Sequence, residues 1–399
     1  MLASSNLDVI DTLRHFKSAN IPVSFLVPTQ TGMEKSIMDA TKEVRDFLAT
    51  TGTHDYQSQA QGTENKVTIP SIIIAKGQLI ETQTSLYRPN TKNGDPRIWV
   101  YKLNDFAEPT DLLALVSSKD GLLIINCSKT DIYELLDSEN DTFKKLLSRV
   151  QIGMSEVASE LIEKLKKVSA LGFVRTKRPG DTGVGYTLES YLGIEANSSK
   201  APDYKGIEIK SKRIRSNKTG RTTIFSQVPN WSISRLKGSK ELLYERGKYN
   251  EEKKRVQLFH ELSATKLNSY GLQLELDTPN NFLHQIFIDE TIKQRDVTWE
   301  LNILKNRLVE KHKETFWVTA KTNGKSGDVN EEFLYSSVKH TGQVDQTVFP
   351  VLLETGVVTL DYTIKEKSPG VAKDQGYLFK IAPKNLDLLF SQAQEYQLQ

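Results

Sequence analysis

The stretch PDYKGIEIKSKRIR, residues 202–215, sets Asp203 directly behind a proline and then runs Ile207, Glu208, Ile209, Lys210. Successive side chains of a strand point to opposite faces, so Glu208 and Lys210 share one face while Ile207 and Ile209 turn toward a core. Asp203 stands at the start of that strand. Two carboxylates that meet at one point can hold a hard divalent cation such as Mg2+, which keeps several waters and takes phosphate oxygens as further ligands. A lysine beside them can orient an attacking water and offset charge on a phosphate. These are the parts of metal-assisted phosphodiester hydrolysis. A cross-strand ion pair on a solvated face would show the same short pattern.

The neighbourhood favours the chemical reading. Lys200, Lys205, Lys210, Lys212, Arg213, Arg215, Lys218 and Arg221 crowd residues 200–221, against only Asp203 and Glu208. A basic stretch around an acidic pair suits a metal site that must approach a polyanion. Upstream, GVGYTLESYLGI (183–194) is expected to be a short helix carrying Glu189 between Leu188 and Leu192, a third carboxylate in an apolar setting.

Away from this stretch the chain reads as two domains. It has 399 residues, 38% hydrophobic and 26% charged, which is enough to build more than one core. The net charge of +3 does not by itself mark a nucleic-acid binder, so local distribution decides. The single cysteine, Cys127, excludes an internal disulfide and a cysteine zinc site, and its apolar setting reads as a small buried hydrophobe. The six histidines show no metal-ligand spacing. With no signal-peptide pattern and no apolar run of spanning length, a cytoplasmic protein without a membrane partner is expected.

Residues 1–148 are expected to form a β-rich domain. Its short strands include KVTIPSIIIA, QLIETQTSLYR, LLALVSS and GLLIINCS; one helix is expected over 32–52, and a polar helical connector over 129–150. Residues 149–399 alternate helix and strand, opening with an amphipathic helix capped by Ser155. Helices are further expected over 296–313 and partly over 331–341.

GVGYTLESYLGIEANSSKAPDYKGIEIKSKR resembles the MutH-like branch of the PD-(D/E)xK nucleases, and within it the MvaI/BcnI restriction endonucleases. There a helix with a Leu-Glu pair and a Leu-Gly end precedes an Asp and then a GIE-apolar-Lys strand. The resemblance implies a C-terminal α/β MutH-like nuclease fold, Mg2+ as cofactor, Asp203, Glu208 and Lys210 as the catalytic set with Asp203 and Glu208 on the metal, and Glu189 as a supporting acid. It implies double-stranded DNA as substrate, with targets of the CCWGG or CCSGG kind. It further places DNA contacts at Lys212 and Arg213, and base-reading side chains among Lys321, His340, Asp361, Lys373, Gln375 and Lys380. Their donor and acceptor chemistry fits that task. The family often has a His near Gln375.

The loop in TSLYRPNTKNGDPRIWVY (84–101) offers Arg88, Lys92, Asn93, Asp95 and Arg97, and PTQTGMEKS offers Thr31, Glu34 and Lys35. These could reach a DNA backbone and base edges, or be solubilising loop residues. The segment resembles the N-terminal effector-binding pseudobarrel of EcoRII-type restriction enzymes. That likeness implies a second copy of the target bound there, and hence a Type IIE enzyme. A cognate cytosine methyltransferase is the genetic partner such an enzyme needs, and a monomer is expected from the MvaI-like half. Two other readings stay open: a MutH-like strand-nicking repair enzyme, and a DNA-binding regulator without catalysis.

Overall fold

A computed structural model describes residues 9–137, 141–150, 153–194, 202–214 and 221–399. Apolar alternation in the N-terminal part resolves into seven strands: β1 (Ser24–Leu26), β2 (Met38–Asp39), β3 (Val67–Ala75), β4 (Gln78–Tyr87), β5 (Arg97–Val100), β6 (Leu113–Ser118) and β7 (Gly121–Asn126). They form one sheet in the order β1-β6-β7-β3-β4-β5-β2, antiparallel except for β3 against β7. The helices of this part are α1 (Val9–Ser18), α2 (Gln30–Lys35), α3 (Lys42–Thr50), α4 (Leu103–Phe106), α5 (Ile132–Leu136) and α6 (Asp141–Ser148). Val44, Phe47 and Leu48 of α3 pack with Ile73, Leu86, Ile98, Leu113 and Ile124 of the sheet. Each such side chain contributes about 1.5–3 kcal/mol on full burial. Cys127 is buried, as its sequence setting implies.

The single helix expected over 32–52 is two helices with β2 between them. Ser36 takes a left-handed conformation (φ 53°) and ends α2, and Thr41 starts α3 by accepting from the Val44 N–H. The 129–150 connector is likewise split into α5 and α6, and its residues 138–140 lie outside the described residues.

The remaining helices are α7 (Glu156–Ser169), α8 (Gly183–Leu192), α9 (Ser239–Arg246), α10 (Leu301–Lys311) and α11 (Phe349–Glu354). The remaining strands are β8 (Val174–Arg175), β9 (Glu208–Arg213), β10 (Thr222–Ser226), β11 (Lys248–Asn250), β12 (Arg255–Leu262), β13 (Leu272–Asp277), β14 (Phe282–Ile288), β15 (Lys293–Glu300), β16 (Thr315–Asn323), β17 (Glu332–Thr341), β18 (Val358–Ser368), β19 (Val371–Ile381) and β20 (Ala393–Gln397). The helix expected over 296–313 is met by α10 over Leu301–Lys311, but its start and the expectation over 331–341 give way to strand. Asp296 to Trp299 lie in β15, buried on both faces, where the period-two signal of a strand is absent. Residues 332–341 are β17, an interior strand between β16 and β20.

The chain divides into two compact units, neither contiguous in sequence. One comprises Met1–Gln151, Arg221–Leu308 and Asp345–Leu389. It holds the seven-stranded sheet, a five-stranded sheet β10-β19-β18-β12-β11 and the three-stranded β13-β14-β15. Lys17 reaches Asp345 at 2.5 Å and Lys305 reaches Asp46 at 3.3 Å, so buried lysines tie its segments together. The other unit comprises Ile152–Gly220, Val309–Val344 and Phe390–Gln399. Its sheet runs β20-β17-β16-β9, with β8 also on β17. Leu161 and Leu165 of α7 and Leu188 and Leu192 of α8 cover that sheet through Ile209, Phe316, Val318 and Tyr335.

The Ser155 hydroxyl accepts from the Ala158 N–H at 3.1 Å and caps α7. Ser155→Ala is expected to lower stability by about 1 kcal/mol in urea unfolding. Among the described residues, no helix is long and apolar enough to cross a membrane.

Candidate active site

The residues between Asp203 and β9 fold back on themselves. Tyr204 and Ile207 exchange backbone hydrogen bonds at 2.9 and 2.8 Å, and Lys205 and Gly206 both take positive φ, 45° and 97°. Glycine supplies the second of these without steric cost. The turn returns Asp203 to the start of β9, where its Oδ2 accepts from the Ile209 N–H at 2.9 Å. Asp203 is thereby fixed beside Glu208. The Glu208 N–H in turn donates to the Glu314 carbonyl, and β9 continues in parallel register along β16, Glu208 facing Thr315 and Lys210 facing Trp317.

Glu189 comes to this place on α8, which packs on the sheet through Val184, Leu188 and Leu192. The helix stops two residues short of the expected 194: Gly193 is left-handed (φ 74°), and its N–H bonds the carbonyls of Glu189 and Ser190. The Glu189 carboxyl is pushed above its ordinary pKa, first by burial, then by the charge of Asp203, with Glu208 adding to it and Arg178 opposing. Glu189 therefore lies close enough to Asp203 and Glu208 to be raised by their charge. Arg178 was not legible as part of the site; it stacks on Tyr186 of α8, 3.8 Å from the ring centre.

Lys210 is exposed on the Glu208 face of β9, and its ammonium lies 5.0 Å from the centre of the Trp317 ring. No local signal in the sequence links these two residues, which meet only through strand pairing.

Among the described residues, no group of three His, Cys, Asp or Glu is placed to hold a metal ion unaided. Mg2+ is usually held by one or two carboxylates and completed by water and substrate phosphates. Asp203 and Glu208 are hard oxygen donors of that kind, and the negative charge that raises Glu189 is the charge a divalent cation offsets. The donor set fits Mg2+ on those terms.

The other site expectations divide between the units. In the unit of β9, Lys212 and Lys321 are exposed on β9 and β16. Arg213 and His340 do not meet the expectation of a DNA-facing position. The Arg213 side chain, 6% exposed, is held by Glu331 through two 2.7 Å hydrogen bonds, and by the carbonyls of Gly180 and Asp181. His340, 1% exposed, bonds Glu314 at 2.8 Å and packs on Phe316. Arg213 shares the buried face of β9 with Ile209, and His340 lies on an interior strand that buries both His340 and Thr341. Lys200, Arg215 and Lys218 lie outside the described residues.

In the other unit, Asp361 and Lys380 meet at 2.8 Å across β18 and β19, with Arg221 2.9 Å from Asp361. Lys373 and Gln375 are exposed on β19. Thr31, Glu34 and Lys35 are exposed on α2, and Glu34 accepts from Gln30. Arg88 is half-buried and donates to the carbonyls of Gly94 and Gln59, so it shapes the loop that carries Lys92, Asn93 and Asp95. Arg97 pairs with Asp39. Thr31, Lys35, Asp95 and Arg97 all line one cavity of about 1210 Å3, together with Asp39 and Arg45.

No curated protein matches the chain. Among solved structures it is similar to "Restriction endonuclease MvaI-cognate DNA substrate complex" (25% identity, TM-score 0.40) and to "Restriction endonuclease MvaI in the absence of DNA" (24% identity, TM-score 0.41). Each similarity covers 62% of this chain and 100% of the other. Residues 162–390, more than half of the sequence and inclusive of Glu189, Asp203, Glu208 and Lys210, match the MvaI/BcnI restriction endonuclease family, and the chain belongs to that family.

Proposed function

We propose that this chain is a Mg2+-dependent Type IIE restriction endonuclease that hydrolyses double-stranded DNA at a CCWGG-like site. Family membership supplies the activity class, site-specific cleavage of DNA. The observation that supports the metal-dependent part of the finer reading is the turn that fixes Asp203 beside Glu208 at the head of β9, with Lys210 on the Glu208 face of that strand. Asp203 and Glu208 would hold the cation, which when bound supplies Lewis acidity toward the scissile phosphate. Lys210 orients the attacking water and offsets charge that builds on the phosphate. Glu189, raised above its ordinary pKa first by burial, is the supporting acid on α8.

In this reading residues 149–399 cleave and residues 1–148 bind a second copy of the site in a pseudobarrel, a two-part plan that resembles UbaLAI. The cavity lined by Thr31, Lys35, Asp95 and Arg97 supports it, since it gathers donors and acceptors suited to base edges and phosphates. Glu34, Arg88, Lys92 and Asn93 belong to the same loops. Lys212, Lys321, Asp361, Lys373, Gln375 and Lys380 are the contacts proposed for the cleaved site. The enzyme acts as a cytoplasmic monomer beside a cognate cytosine methyltransferase.

The test is a digest of two plasmids that differ only in having CCWGG sites or none, with the ends mapped by sequencing. Cuts confined to CCWGG, lost on chelation and faster with two sites than one, are expected. Cleavage at other sequences would remove the target. Binding without cleavage in Mg2+ would favour the regulator, and single-strand nicks the repair enzyme.

A further inference from the structure

We propose that Trp317 is a positioning residue for Lys210: the face of its indole fixes where the lysine ammonium sits. The inference rests on the reading of Lys210 as part of the cleavage machinery. Lys210 and Trp317 are register partners on the parallel strands β9 and β16, with the ammonium 5.0 Å from the ring centre. That is within the range at which an aromatic face attracts a cation, and tryptophan is the strongest of the aromatic partners.

The ring is itself held from its polar edge. The Trp317 Nε1–H donates to the Thr341 hydroxyl at 3.0 Å, and that hydroxyl donates to the Thr315 carbonyl at 3.3 Å. Thr341 is 1% exposed, and Thr315 sits opposite Glu208 in the same pairing. One short chain of contacts therefore runs from the backbone beside Glu208, through Thr341 and the indole, to the lysine ammonium. An exposed lysine on a four-carbon stem otherwise spreads over many rotamers, and that freedom must be given up to reach one geometry. A ring that already holds the ammonium removes part of that loss before DNA arrives.

A merely structural tryptophan would need only its shape. The distinguishing test keeps the shape and changes the charge on the ring face, by placing progressively fluorinated tryptophans at position 317. Single-turnover cleavage is read on a duplex carrying the site mapped in the plasmid digest, and duplex binding is measured in parallel. A stepwise fall in rate with fluorine number is expected at unchanged affinity. Trp317→Phe, which keeps an aromatic face but loses the indole N–H bond to Thr341, should lose part of the rate, and Trp317→Leu should lose about tenfold. Equal rates across the fluorinated series would overturn the proposal even if the leucine variant fails to fold. Lys210→Ala separates the two ideas. If it cuts at the normal rate, the reading of Lys210 itself fails. If it is inactive while the fluorinated series is flat, only the role of Trp317 fails.

Discussion

Lys210→Ala is expected to cleave cognate DNA about 10^3-fold more slowly, within the range that loss of a positioned proton-transfer or charge-stabilising group produces. Its stability and its affinity for the duplex should change little. The side chain is exposed on β9, and the core beneath is made by Ile207 and Ile209 on the opposite face. The loss should fall on the chemical step, visible as a lower single-turnover rate at saturating enzyme. A variant that cuts at the normal rate would remove Lys210 from the active site and leave Asp203 and Glu208 without their expected partner.

Arg213→Ala is expected to be the most destabilising single change, for the opposite reason. Its guanidinium and the Glu331 carboxylate are 6% and 1% exposed. Removing one partner of such a pair typically costs about 3–5 kcal/mol, because the other charge is left buried and unanswered. Urea unfolding of the variant measures this directly. Replacing both residues by leucine should recover much of the loss, which a DNA-contacting role for Arg213 would not predict. The pair also sets an acid limit. The hydrogen bond from Arg213 holds Glu331 below its ordinary 4.5. Its contribution is therefore complete above the unfolded value near 4.5 and is lost as pH falls through the lower folded value. Unfolding midpoints of wild type and variant should converge below that pH.

How far the sequence discloses this molecule depends on where the information lies. β9 was legible because Ile207 and Ile209 alternate with Glu208 and Lys210, and β3 and β4 because two runs rich in Ile, Leu and Thr are separated at Gly77. The cap at Ser155 was legible as well, because it is a local requirement of the backbone. Strands buried on both faces were not, as β15 shows with Asp296 inside the protein, answered by Arg235 and Arg246. A buried aspartate reads from sequence as a surface residue until its partners are known. The acidic residues at the head of β9 were legible because the turn at Lys205 and Gly206 is local. Trp317, Arg178 and Glu331 were not, since each joins its partner through pairing or packing between distant parts of the chain. Arg213 illustrates the complementary error: a basic residue beside the acidic pair invites a DNA-binding reading, while alternation with Ile207 and Ile209 puts its side chain on the interior face of β9.

The strand that carries Glu208 and Lys210 is the outermost strand of its sheet among the described residues. An outermost strand invites pairing with another polypeptide chain, and proteins discourage such self-association with charged side chains, lysine above all. Lys210 and Lys212 project from that strand into solvent. Charge at these two positions thus guards an open sheet edge against self-association.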